Sequence, residues 1–387
     1  MPQFKKRMMG SLFFFNTILA CGVMPQLEID APQTLSTSTH VLTAFTSKSL
    51  TSISPDGRTY KFSERLPELL ALQKSDIMLG APSLHTPSGY LRRVVRVDVN
   101  HDIVDVETDD ATLEEAFESL DLNFDEALVM QDPDSEFDEE LGRAITNPWR
   151  FEHKFVNEVL YDQDRDLMTT NDQVRLNGKL VATIRLTGDI KISWFKLKEV
   201  GFSAIISEET TLTLDSDLPT INFEIIKKIK EIPLPSFGVG VITIRPKLTL
   251  SAGANAALDG DLEPSLTQNI AAQTGIAIID NKFQWLRNWE HQEAFTGIKT
   301  GSSTRAKIFV EPKLSVEVLG LTMGYARATP SLSIKPSLND TAASMQLDAG
   351  FTAAVGYDFS KFGGSKLKGE KILVDQTWLL KQIDFGG

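Results

Sequence analysis

Residues 174–194, VRLNGKLVATIRLTGDIKISW, constrain the fold more than any other stretch of the chain. Every even position from Val174 to Trp194 is apolar or Gly, and every odd position from Arg175 to Ser193 is polar except Val181. Side chains of a strand alternate between two faces, so this pattern predicts a half-buried β-segment, or two consecutive strands with one face in a core. The alternation returns downstream. Leu248, Leu250, Ala252, Ala254, Ala256 and Leu258 share one face, and Met345, Leu347, Ala349, Phe351, Ala353, Val355 and Tyr357 share another. Thr and Val content with Gly and Pro punctuation argues for antiparallel pairing. Tracts of this length, at ~3.3 Å per residue, outrun a compact sandwich. The expected fold is therefore mainly β: a small N-terminal β-rich module followed by a large antiparallel β-sandwich, barrel or elongated curled sheet. Faces rich in Ala and Gly let a second layer or a ligand approach closely.

The chain opens with a different kind of segment. Lys5, Lys6 and Arg7 precede the apolar run Met8–Leu19, which is too short to span a bilayer comfortably and fits a signal peptide over 1–20. Ile18-Leu19-Ala20-Cys21 resembles the bacterial lipobox, in which a small residue precedes a cysteine that is lipidated and becomes the new N-terminus. The resemblance implies lipidation at Cys21 and membrane attachment through acyl chains, each buried methylene contributing about 0.8 kcal/mol. An ordinary signal peptide cut after Ala20 is the other reading. Cys21 is the single cysteine, so an intrachain disulfide and a Cys-based zinc site are both excluded. Residues 21–40 are rich in Ser, Thr and Pro without apolar period and read as a tether.

A small β-rich module is expected over 41–130. Pro55-Asp56-Gly57-Arg58 reads as a turn between Leu50–Ser54 and Tyr60–Phe62, and Leu66–Leu72 reads as a helical turn. Leu91–Val99 and Ile103–Glu107 read as a hairpin around Asn100-His101. Thr112 and Glu115 stand at capping-box spacing on a short helix over 112–118. The run from Ser75 to Ser119 carries Met78-Leu79-Gly80-Ala81-Pro82, Gly89-Tyr90-Leu91-Arg92-Arg93-Val94, Val104-Asp105-Val106-Glu107-Thr108 and Thr112-Leu113-Glu114-Glu115-Ala116. These pieces resemble an N-terminal module of bacterial exported lipoproteins of unassigned function, from which Ala81 and Arg93 depart slightly. Ile192–Lys198, Pro235–Leu250 and Lys307–Gly320 resemble the β-rich module that follows it in that family. The resemblance implies a place in the bacterial cell envelope, exported and facing periplasm or exterior. It brings no activity and no site residue.

Charge narrows the partners. Residues 101–140 hold 17 of the 52 acidic residues and no Lys or Arg, whereas 141–387 hold 28 of each sign. A phosphate binder needs a basic face, so nucleic acid is not expected. Residues 131–172 read as an acidic connector, and 173–387 as the large antiparallel domain. Asp98, Asn100 and Asp102 have the first spacing of a calcium loop, as do Asp162, Asp164 and Asp166. Both lack the glycine at the sixth place, which is Ile103 or Leu167. Hairpin and solvated linker are the preferred readings, and calcium binding within 98–109 or 132–166 stays open. Trp285, Trp289, His291 and Phe295 are candidate ligand- or partner-binding residues, with core or strand edge as the alternative. The five His are scattered, and no GxSxG, P-loop or dinucleotide fingerprint is present. The expectation is a lipid-anchored, non-enzymatic envelope protein with no cofactor and no metal. Its role is structural, adhesive or in assembly with a protein partner or with itself; the alternative is a carrier of a lipid or other apolar ligand.

Overall fold

The computed structural model describes residues 33–384 except 128–148, 167, 170–171, 217–220, 235, 240, 259–261, 280–281, 301–304, 340–341 and 363–366. The signal peptide, Cys21 and most of the tether lie outside the described residues, as does the acidic run 131–140.

The chain is mainly β, as the alternation predicts. Its first part runs β1 (Gln33–Leu35), β2 (Thr39–Leu42), α1 (Ala44–Lys48), β3 (Leu50–Ile53), β4 (Thr59–Phe62), α2 (Pro67–Leu70), β5 (Ile77–Gly80), β6 (Tyr90–Asn100), β7 (Ile103–Asp110) and α3 (Leu113–Ala116). Strands β2 to β7 form one six-stranded sheet, ordered β2-β5-β6-β7-β4-β3 and antiparallel apart from the β2–β5 pair. The hairpin expected around Asn100-His101 is β6–β7, and the expected capping box closes α3.

The larger part is two seven-stranded sheets. The first contains β1, β8 (Phe117–Ala127), β9 (Trp149–Asp162), β10 (Gln173–Ser193), β11 (Lys196–Ser216), and, further along the chain, β15 (Leu262–Ile279) and β16 (Lys282–Thr300). The second contains β12 (Ile221–Pro233), β13 (Phe237–Val239), β14 (Ile242–Leu258), β17 (Arg305–Val318), β18 (Leu321–Asn339), β19 (Ala342–Asp358) and β20 (Lys368–Asp384). Strand β10, at 21 residues, reaches about 70 Å. Its one free edge is tiled by two strands, β9 along Gln173–Ile184 and β8 along Arg185–Ser193. The acidic connector expected over 131–172 thus contains a strand, β9.

The even positions from 174 to 192 point inward, and Val174, Leu176, Leu180, Ala182, Ile184, Leu186, Ile190 and Ile192 are all buried, whereas Trp194 lies in the turn that follows and is exposed. They join one apolar cluster with Leu248, Leu250, Val310, Leu314, Leu332, Leu347 and Phe351 of the second sheet. Small side chains draw the layers together, and Cα atoms of β15 and β19 come within 8 Å of each other. The six-stranded sheet has its own core around Phe62, Leu69, Met78 and Val104, while Ile77, Leu79 and Leu91 on its other face belong to the large cluster. Helix α3 ties the parts together. Leu113 and Glu114 donate their N–H groups to the carbonyls of Lys361 and Phe362, and the Glu114 carboxylate accepts from the Leu197 N–H.

Candidate functional site

The aromatic residues singled out by the sequence lie on β16, where the two large sheets meet edge to edge. Trp285 and Trp289 stand opposite Ile276 and Ala272 of β15 and pack against the common core. Trp289 meets Trp378 of β20 at 5.6 Å between ring centroids, and Trp285 meets Tyr357 of β19 at 6.1 Å. These rings cover the seam between the sheets. His291 and Phe295 follow on the same strand, opposite Ile270 and Leu266, and their side chains lie outside the described ones. The rim of the seam carries exposed Phe283, Leu286, Ile372 and Leu379.

Two strands in from β16, the interior changes character. Strand β11 sends Phe202, Ala204 and Ile206 inward and then Glu208 and Thr210; Gln268 of β15 stands directly opposite Thr210. Glu208 is 4% exposed and Gln268 1%. Neither side chain, nor the Thr210 hydroxyl, has a hydrogen-bond partner among the described residues. Burial alone pushes the Glu208 carboxyl up to about 8, so at neutral pH it is largely protonated. The facing strands β18 and β19 line the interior with apolar side chains, among them Ala326, Ala328, Leu332, Ala349, Phe351 and Ala353. The sequence reading missed this row. The signal was available: Glu208 interrupts an inward series in a strand whose alternation is otherwise regular.

Hollows open on the surface formed by the described residues. One, of about 400 Å³, lies on the outer face of the first sheet above Arg150, Val181, Thr183, Ser207, Glu209 and Glu290. Val181, the single apolar odd residue of 174–194, forms part of its floor. Another, of about 270 Å³, lies between the six-stranded sheet and the second large sheet, with Tyr60, Arg92, Arg245 and Glu317 on its walls. Ser88 crosses that junction and donates to the Glu317 carboxylate at 2.6 Å.

The calcium-loop spacings resolve differently. Asn100 pairs with Ile103 across a two-residue hairpin turn, so Asp98, Asn100 and Asp102 belong to strands and turn. Asp162 and Asp164 converge with Asp172, rather than with Asp166, to within 4.8 Å. Their carboxylates already accept from the loop's own backbone: Arg165 N–H to Asp162 at 3.0 Å, Asp166 N–H to Asp164 at 2.7 Å, Asp164 N–H to Asp172 at 3.1 Å. Loss of water and the hydrogen bond shared with Asp164 raise Asp162, while the Asp166 N–H lowers Asp164. No other group of three His, Cys, Asp or Glu converges in this way among the described residues. Among them, too, no helix is long and apolar enough to cross a membrane, which says nothing of crossing by strands.

Comparison with protein-family models, with curated proteins and with solved structures finds no match for this chain.

Proposed function

We propose that this chain is a lipid-anchored bacterial envelope protein, facing periplasm or cell exterior, whose role is structural, adhesive or in assembly and not enzymatic. The observation that carries this reading over a lipid carrier is the filled interior. One apolar cluster runs between the two large sheets, and their backbones approach within 8 Å at β15 and β19. A sandwich pressed together by Ala and Leu is a rigid spacer about 70 Å long; a carrier of an acyl chain needs a hollow of several hundred Å³ between its layers. The outer-face hollow is open to solvent and sets Arg150, Glu209 and Glu290 beside Val181, Ile270 and Ala271, so it does not enclose an apolar chain.

The lipobox-like residues Ile18–Cys21 supply the anchor in this account. The test is fractionation of a bacterial host expressing the chain. The wild type is expected in the membrane fraction, extractable only by detergent, and a Cys21→Ser variant is expected to lose acylation. A protein released by salt alone, with no acyl mass on Cys21, contradicts the anchor.

A further inference from the structure

The β10–β11 hairpin turns in two residues, Trp194 and Phe195, between the paired Ser193 and Lys196. Both have positive φ, 51° and 56°. Two-residue turns with this geometry favour Asn-Gly, because a bulky side chain on a left-handed residue crowds its own backbone. The β17–β18 hairpin lies at the same end of the sandwich, since the Phe202 ring of β11 lies against Gly324 of β18. It uses the same backbone differently: Leu319 has a φ of 50° and Gly320 one of 75°, but only one side chain is bulky, and Leu319 is buried in the core. The aromatic turn does the opposite. Trp194 is 77% exposed and Phe195 45%. Two large rings held on strained backbone and turned to solvent contribute little to the fold, and strain of this kind marks a surface with another use.

Two further facts say what covers it. Lys196 and Lys198 beside the tip are exposed and make no ion pair among the described residues. Aromatic rings bordered by lysines are the composition found where protein meets lipid headgroups, the rings at headgroup level and the ammonium groups at the phosphates. The chain also enters the fold at this place. Gln33 of β1 pairs with Leu120 of β8, and Leu120 pairs with Ile192 of β10, two residues before the tip. Two strand spacings put β1 about 10 Å from β10. Cys21 stands twelve residues before Gln33, a reach of at most ~40 Å.

We propose that Trp194 and Phe195 insert into the headgroup layer of the membrane that holds the N-terminal anchor, with Lys196 and Lys198 on anionic lipid phosphates. This gives the spacer a fixed orientation on the bilayer. It rests on the anchor reading for the side of the molecule that meets the membrane.

The test uses the mature protein as extracted from membranes, reconstituted on phosphatidylcholine–phosphatidylglycerol vesicles with brominated acyl chains. Wild-type tryptophan fluorescence is expected to be quenched, and the quenching to be lost in Trp194→Phe, which assigns it to that ring. The double variant W194N/F195G installs the favoured turn residues. It is expected to melt at a higher temperature than wild type, so misfolding is not an explanation for what it loses, and to show no quenching while still floating with the vesicles. Acyl mass is read on the same samples. Acylated protein without Trp194-dependent quenching overturns the proposal and leaves the anchor standing. Unacylated protein that floats and is quenched through Trp194 overturns the anchor and leaves the proposal standing. Quenching that persists in both variants places other tryptophans at the membrane and overturns the proposal.

Discussion

Glu208 ties the stability of the sandwich to pH. Its carboxyl has an ordinary value of 4.5 and is raised to about 8 by burial. The folded chain therefore binds a proton that the unfolded chain has released across the interval between those values. The contribution is fully present below pH 4.5, declines as pH rises towards 8, and levels off above it, with a slope of about 1.4 kcal/mol per pH unit at its steepest. Thermal melts from pH 5 to 8 are expected to show a falling midpoint in wild type. In Glu208→Gln, which keeps the shape without the titration, the fall attributable to this group should vanish; an unchanged pH profile contradicts the burial of Glu208. Gly178 gives a second residue-level prediction. It sits in β10 with φ 136°, and an added Cβ meets the Thr211 carbonyl oxygen at 2.0 Å. Gly178→Ala is expected to lower the unfolding free energy by roughly 2–4 kcal/mol in urea titration. In the sequence, Gly178 looks like one more member of the apolar face. Only the pairing with β11 reveals the close approach, because a backbone neighbour as distant in sequence as Thr211 is invisible to local periodicity.

At the scale of elements, the two-residue period located β10, β14 and β19 because each keeps one face buried along its length. Strand β9 was read as connector for a physical reason. Its buried residues are Phe151, Phe155 and Leu160, and irregularities in its pairing with β10 shift the parity between Phe155 and Leu160. The same device recurs on other edge strands: β12 and β16 each carry one extra residue relative to the partner strand, and β20 carries two. Bulges and lysines on edge strands discourage strand addition by another chain, so self-assembly through open edges is disfavoured and contacts through faces or turns are favoured. Pro312 and Pro330 sit inside long strands because the β17–β18 ladder is interrupted between Phe309–Ser331 and Lys313–Arg327. Helix α3 is the element whose loss should be felt furthest. The Glu115 carboxylate accepts from the Thr112 N–H at 2.8 Å and also pairs with Arg93. Glu115→Ala is expected to cost about 1 kcal/mol in chemical denaturation, with faster amide exchange at Leu113 and Glu114, whose N–H groups join α3 to the 361–362 loop. Unchanged exchange there contradicts the role assigned to α3.

For the whole molecule, the sequence announced a mainly β chain with long strands, and the structure is that. The division into two facing sheets was beyond local pattern, since strand order depends on pairings such as β11 with β15 across the whole of β12–β14. The candidate site was legible only in part. Trp285 and Trp289 were found by composition, but their place at the seam depends on β19 and β20, which supply Tyr357 and Trp378. The proposed anchor at Cys21 rests on its local motif alone, since Cys21 lies outside the described residues. The central claim, an acyl-anchored spacer with a filled interior, meets its most direct test in native mass spectrometry of the protein extracted from bacterial membranes. The predicted result is a chain beginning at Cys21 with covalent acyl groups and no further bound mass. A chain without acyl groups, or one that releases a noncovalent lipid on solvent denaturation, contradicts the account.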